Sequence, residues 1–251
     1  MSTIQEAIDC TKARKLQVNL VESGKINVLV LNNLDNRFNV EFCENILSQL
    51  DKLEEEKDLQ GQVLVTVSTH PKIFSNGVDF ENLNTKEEVD RVLRLMFDIL
   101  RRIIILPIPS IACIHGHAFA GGLFFALAHS FRVMNFDRGW ACLNELSNGI
   151  IIPEPLLKIG EEKLGLENFW EVCATGSRYT ATQALKLKIA SSAYEKEEIL
   201  HKTYELAKRI SKKNIEPVAF QTFNKDMFKG TIKACTEVSI YDLTLERIAK
   251  L

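Results

Sequence analysis

The sequence of 251 residues predicts an α/β fold. Helix-like and strand-like runs alternate through the first two-thirds of the chain, the pattern of helices layered on a sheet. Val63-Leu64-Val65-Thr66-Val67 is an unbroken apolar run, as expected for a strand in the middle of a parallel sheet. Ser110-Ile111-Ala112-Cys113-Ile114 passes through Gly116, Ala118, Ala120, Gly121 and Gly122 into the apolar residues 123–128. That reads as a strand, a small-residue turn and a buried helix.

The elements follow in order. Residues 1–15 are polar and read as a short lead-in helix or an unstructured segment. Residues 16–21 alternate apolar and polar, residues 22–25 form a turn, and residues 26–31 return as a second strand, so the pair is a hairpin. A polar loop precedes Asn39, which caps a helix carrying Phe42, Ile46, Leu47, Leu50 and Leu53 at helical spacing. Residues 68–79 read as a loop. Residues 89–105 form a long amphipathic helix, ended by Pro107 and Pro109. Short strands are expected at 131–134 and 139–143. Beyond them the chain is mostly helical, with capping-box spacing at Thr180-Ala181-Thr182-Gln183 and helices over 199–210 and 217–251. No internal repeat is visible, and the C-terminal third is expected to pack as a helical subdomain.

Composition excludes several classes. With 31 basic and 33 acidic residues interspersed, net charge −2, no basic stripe points to nucleic acid. No apolar run reaches the roughly 20 residues needed to cross a bilayer. The N-terminus lacks the apolar core of a secretory signal. Cys10, Cys43, Cys113, Cys142, Cys173 and Cys235 form no CxxC pair, which argues against a zinc or redox motif and fits a reducing compartment. His115 and His117 share a strand face but have no third ligand nearby, so no metal is expected. His115 and His129 read as packing or hydrogen-bonding residues.

The glycine turn carries the chemistry. No Lys-Ser/Thr follows it, so it is not a nucleotide P-loop, and no GxGxxG follows a strand. Free N–H groups at a helix start can hold an oxyanion, although a tight turn kept small for packing reads equally well in isolation. A second small-residue turn, Phe74-Ser75-Asn76-Gly77-Val78-Asp79, also follows a strand and precedes a helix. Two such turns can aim two backbone N–H groups at one carbonyl oxygen.

At these turns, FSNGVD and HGHAFAGG, the sequence resembles the crotonase, or enoyl-CoA hydratase/isomerase, superfamily. The resemblance spans roughly residues 16–193. It implies a crotonase-like ββα spiral core over 1–195 and a C-terminal helical trimerisation region over 196–251. It also implies an oxyanion hole from the N–H groups of Val78 and Gly121, and an acyl-CoA thioester site lined by Ser75, Asn76, Gly77, Val78, Asp79 and Gly121. Asp79 is expected to hold the loop rather than act chemically. Hydratases of the family carry two glutamates. One matches Glu145 in Asn144-Glu145-Leu146; the other position holds Phe124. One base without its partner is the pattern of the Δ3,Δ2-enoyl-CoA isomerases, so Glu145 is the expected catalytic base, with Phe124 helping to exclude water.

By the same resemblance, the partners are an acyl-CoA substrate and further copies of the chain in a homotrimer or hexamer. No cofactor is expected, since coenzyme A is part of the substrate. Phe124, Phe125 and Trp140 are expected in the core or the acyl pocket, and Lys72 and Arg37 are candidates for the CoA phosphates. Ala249-Lys250-Leu251 is a conservative variant of the Ser-Lys-Leu address read by the peroxisomal import receptor. The expected function is transposition of the double bond of 3-enoyl-CoA to 2-trans-enoyl-CoA in β-oxidation of unsaturated fatty acids. Alternatives are another crotonase-type reaction (hydratase, dienoyl-CoA isomerase or hydrolase) or an acyl-CoA-binding homologue without catalysis.

Overall fold

Strands whose residues are apolar throughout need cover on both faces, and the fold supplies it. The computed structural model describes residues 3–137 and 139–237. The Ala249-Lys250-Leu251 tripeptide lies outside them. In chain order the elements are α1 (Thr3–Arg14), β1 (Val18–Ser23), β2 (Ile26–Leu31), α2 (Val40–Glu54), β3 (Val63–Ser68), β4 (Ile73–Ser75) and α3 (Lys86–Ile104). They continue with β5 (Ser110–Ile114), β6 (His117–Phe119), α4 (Gly121–Ala128), β7 (Phe131–Asn135), β8 (Ala141–Cys142), α5 (Glu154–Leu164) and α6 (Leu166–Thr175). The last are α7 (Ala181–Lys186), β9 (Ser192–Tyr194), α8 (Ile199–Ser211), α9 (Pro217–Met227) and α10 (Lys229–Thr236). Short 3-10 turns cover Phe80–Asn82 and Leu146–Asn148.

The large sheet has the order β1-β2-β3-β5-β7-β9, and a small sheet has the order β4-β6-β8. Among the pairs of these strands, β1–β2 is antiparallel and the rest are parallel. One face of the large sheet sends Leu29, Leu31, Leu64, Ala112, Ile114 and Met134 into a core shared with α2, α3 and α4. The other face sends Val28, Val30, Val65, Val67, Ile111 and Cys113 against Ile4 and Ile8 of α1 and Ile199, Ala207 and Ile210 of α8. Residue 195 lies between β9 and α8, and α8 packs back on the large sheet. α10 packs on α5 and α3.

A structural repeat runs through the middle of the chain. One strand joins the large sheet, the next joins the small sheet, and a helix follows: β3-β4-α3, then β5-β6-α4, then β7-β8-α5. The sequence shows no such repeat. The small-sheet strands have two or three residues, too few for a period to be visible. This also corrects the expected loop over 68–79, which contains β4, and the expected glycine turn, which contains β6. α5, α6 and β9 were not separately expected.

Local signals in the sequence do specify the helix starts. Asn39 Oδ1 accepts from Phe42 N at 2.9 Å, capping α2. Thr85 and Glu88 form a reciprocal capping box on α3, and Thr180 and Gln183 form one on α7. The two sheets meet where the turn after β4 lies against the start of α4. A Cβ on Gly122 would overlap the carbonyl oxygen of Ser75.

Two stability predictions follow from these contacts. Asn39→Ala removes a cap and lowers unfolding free energy by about 1 kcal/mol. Gly122→Ala overpacks a backbone contact and lowers it by roughly 1–3 kcal/mol. Both are read from denaturant midpoints at unchanged slope.

Candidate active site

The turn after β4 is held from behind by Asn36. Asn36 is buried, with φ +53°, a left-handed conformation that asparagine tolerates. Its Nδ2 donates to Ser68 Oγ at 2.7 Å and to the Phe74 carbonyl at 2.9 Å. Its own carbonyl accepts from Ser75 Oγ at 2.7 Å, and Ser75 Oγ in turn accepts from Gly77 N at 3.2 Å. Phe38 then clamps the turn on both sides of Val78. Phe38 N donates to the Gly77 carbonyl at 2.7 Å, and Asp79 N donates to the Phe38 carbonyl at 3.0 Å. In such a bridge the N–H of the middle residue points the other way. Val78 N–H has no acceptor among the described residues.

The second N–H comes from the start of α4. Ala120 N donates to the Cys142 carbonyl at 2.8 Å, tying the end of β6 to β8. Ala120 then adopts φ +50° and ψ −128°. This is unfavourable for a residue with a Cβ and stores on the order of 1–3 kcal/mol. The conformation turns the chain into α4, whose first N–H, Gly121, has no intrahelical acceptor. Gly77 has φ +83°, and a Cβ there would stand 2.9 Å from Gly121 N. The two turns therefore touch backbone to backbone. At the other end of α4, Arg132 donates to the carbonyls of His129 (3.0 Å) and Ile189 (2.7 Å), and Lys163 Nζ reaches His129 O at 3.3 Å. Cations there complement the helix dipole. Burial pulls Arg132 down to about 10.

The third group follows β8. Glu145 opens the Leu146–Asn148 turn, and its carbonyl accepts from Asn148 N (3.1 Å) and Ile150 N (2.9 Å). Its side chain is buried, only 6% exposed, and Oε2 has no hydrogen-bond partner. Burial raises its pKa to about 7. The Glu145 charge in turn adds to the burial that pushes the Cys173 thiol up to about 12.

Val78, Gly121 and Glu145 line one cleft of about 620 Å³, together with Asn76, Asn144 and Asn148. Leu93, Met96, Ile150, Ile151 and Leu156 supply its apolar wall. Ser75, Gly77 and Asp79 do not line this cleft. Ser75 and Gly77 shape the turn from behind. Asp79 starts the Phe80–Asn82 turn, accepts from Asn82 Nδ2 at 2.9 Å and faces Arg37 at 3.7 Å. It lines the neighbouring depression with Asn33, Leu34 and His70.

The remaining residues divide between the core, the surface and the cleft. Phe124 is fully buried, edge-on to Phe169 at 6.3 Å, and does not line the cleft. Water exclusion belongs to the aliphatic wall instead. Phe125 is core, stacked on Phe74. Trp140 is neither core nor cleft: it stacks on His117 at 5.1 Å beneath Arg178 on the surface. Arg37 lines the cleft mouth but already pairs with Asp35 (2.8 Å) and Glu81 (3.1 Å). His115 bonds the His70 carbonyl at 2.9 Å and His129 bonds Thr66 Oγ1 at 2.8 Å. Among the described residues no group of three His, Cys, Asp or Glu side chains could hold a metal ion. No helix among them is long and apolar enough to cross a membrane.

Sequence reasoning missed Asn36, the strained Ala120, Met96 and Asn148. Asn36 left one trace, its place in the asparagine-rich segment Asn32-Asn33-Leu34-Asp35-Asn36. A carboxylate whose pKa burial raises to about 7, lining one cleft with two fixed N–H donors, suits proton removal beside a carbonyl whose oxygen gains negative charge.

Comparison with known proteins gives the family and the fold. The family model described as "Enoyl-CoA hydratase/isomerase" matches residues 22–246. Enoyl-CoA delta isomerase 3 of Arabidopsis thaliana is 27% identical over 239 residues, 92% of this chain and 97% of that protein. The peroxisomal enoyl-CoA delta isomerase 1 of Arabidopsis thaliana is 30% identical over 165 residues, 64% of this chain and 67% of that protein. Among solved structures, human mitochondrial delta3-delta2-enoyl-CoA isomerase superposes with a TM-score of 0.81 at 21% identity, covering 94% of this chain and 91% of that one. An enoyl-CoA hydratase from Mycobacterium marinum superposes with 0.79 at 19% identity, covering 94% and 99%. At those identities the superpositions establish the crotonase fold. With the match to the family model covering most of its length, the chain belongs to the enoyl-CoA hydratase/isomerase family.

Proposed function

We propose that this chain is a Δ3,Δ2-enoyl-CoA isomerase with a single acid/base residue, Glu145. The observation that carries this reading is the buried Glu145 carboxylate with an unpartnered Oε2, while Phe124, at the position of the hydratases' second glutamate, lies in the core. The N–H groups of Val78 and Gly121 hold the thioester oxygen. Glu145 removes a proton from C2; the electrons of that C–H bond form a C1=C2 bond and the carbonyl pair moves onto the oxygen, giving a dienolate that keeps C3=C4 and whose collapse, with C4 taking the proton, shifts the double bond to C2=C3. The protonated Glu145 then returns the proton to C4, leaving the 2-trans double bond. Atoms and electrons balance without an oxidant, so no cofactor is needed beyond the coenzyme A of the substrate. Removal of one oxyanion donor typically costs a factor of about 100–1000.

The same reading carries a place in β-oxidation, residence in peroxisomes and recognition by the import receptor through Ala249-Lys250-Leu251. Its support is that tripeptide and the peroxisomal names of two relatives. It also carries assembly as a homotrimer or hexamer, with the helices after residue 195 as the trimerisation region.

Three outcomes test the chemistry. Glu145→Gln lowers kcat/KM for 3-hexenoyl-CoA by about 100- to 10,000-fold while acyl-CoA binding persists. Near-normal turnover removes Glu145 from the mechanism, and hydration of 2-hexenoyl-CoA with no action on the 3-enoyl ester overturns the isomerase reading. Because the base must be ionised, the wild-type rate rises through about pH 7 and then levels; a flat profile across that range contradicts the role. The folded state holds the Glu145 proton to higher pH than the unfolded chain, whose value is near 4.5. Its contribution to stability is therefore complete below about pH 4.5 and declines toward about pH 7. Glu145→Gln escapes that decline and is more stable than the parent above pH 7, by up to roughly 3 kcal/mol in denaturant titration.

A further inference from the structure

We propose that a cavity at the last turn of α4, the end remote from Gly121, binds a small apolar monocarboxylate whose carboxylate pairs with Lys163. The cavity measures about 340 Å³, at the small end of ordinary ligand sites, which run from about 300 to 1,000 Å³. Ala128 of α4, Phe131 of β7, Ile210 of α8, and Phe220 and Phe223 of α9 wall it. Its polar groups are Ser130, Lys163, Lys213 and Asn224, and no acidic residue lines it among the described residues. Ser130 Oγ already accepts from Ser110 N at 3.2 Å.

The charges at this place do not balance. Arg132 and Lys163 bring two cations to the C-terminal end of α4, and a helix end offers only about half a negative charge. Arg132 is buried and meets carbonyls, those of His129, Ile189 and Lys188. Lys163 Nζ makes one hydrogen bond among the described residues, to the His129 carbonyl at 3.3 Å, and lies 4.2 Å from the centre of the Phe228 ring. Glu162, its neighbour in sequence, turns to α10 and accepts from Thr231 Oγ1. His129 adds no charge, since burial pulls it down to about 3. Burial and the Arg132 charge pull Lys163 down to about 7, against a smaller opposing effect of Glu162. The chain thus relieves the surplus by giving up the Lys163 proton. Asn224 adds a second, independent sign. It is 6% exposed, and its side-chain amide has no hydrogen-bond partner among the described residues, a state that buried amides rarely keep. A carboxylate supplies the missing counter-charge and an acceptor for Asn224 Nδ2. The phenylalanine and isoleucine walls take an apolar body, which an inorganic anion lacks.

The test is calorimetric titration of the full chain with octanoate and 3-phenylpropanoate, an alkyl and an aryl acid, against acetate and octanol. At least one of the two acids is expected to bind about tenfold or more tightly than acetate, which has little apolar surface to bury, and than octanol, which has no charge. At pH 8 binding is expected to take up close to one proton, read from heats in buffers of different ionisation enthalpy, because pairing recharges Lys163. That readout needs no variant. Lys163→Met and Asn224→Leu are each expected to raise the Kd of the tighter acid about tenfold or more, with unfolding midpoints confirming that both fold. Failure of both acids to bind, binding without proton uptake, or a Kd unchanged in both variants overturns the proposal. So does octanol binding as tightly as octanoate. A changed sedimentation coefficient in Lys163→Met, with neither acid bound by the parent chain, also overturns it, since a second copy then supplies the carboxylate.

Discussion

Two stretches of backbone, far apart in sequence, touch here without a side chain between them. Gly77 lies against Gly121 N, and Gly122 lies against the Ser75 carbonyl. This contact decides the rest of the site. A methyl group at either glycine forces the turns apart and separates the Val78 and Gly121 amides. Backbone donors have no rotamers to freeze, so once the contact forms, their direction is fixed before any ligand arrives. Asn36, Phe38 and the Ala120–Cys142 bond all serve to hold that approach from the outside.

The site is maintained against its own energetics. Ala120 sits in a conformation that glycine would occupy more easily, and Glu145 is held away from water with no counter-charge among its hydrogen-bond partners. Such features persist where the surroundings over-determine them. Every residue of α4 is buried, and its far end is closed by Arg132 and Lys163. The burial that makes Glu145 a poor carboxylate also raises its pKa to about 7. Destabilisation and basicity have one cause at this position.

Much of this was legible in the residues, and the remainder was hidden for physical reasons. Continuous apolar runs announced the parallel strands β3 and β5, because burial on both faces removes alternation. Asn39 and Thr180 announced their helices, because caps act within one turn. The two small-residue turns pointed to a pair of backbone donors, and Val78, Gly121 and Glu145 themselves followed from the family resemblance. β4, β6 and β8 were hidden, since two or three residues carry no period. Phe124 was singled out by the family resemblance and expected in the core or the acyl pocket; α4 is buried all round, so spacing could not tell which neighbour its ring would meet. Trp140 looked like core because it is large and apolar; its partners, His117 and Arg178, come from other parts of the chain.

Each short strand of the small sheet is followed at once by one working part: Val78 after β4, Gly121 after β6 and Glu145 after β8. The three strands are parallel neighbours, so the parts emerge side by side at one edge. Such an arrangement separates the two amide donors from the carboxylate. The first two strands can remain as they are while the segment after the third acquires a different acid, a different spacing or none. A scaffold partitioned in this way can diversify its chemistry by editing a single loop.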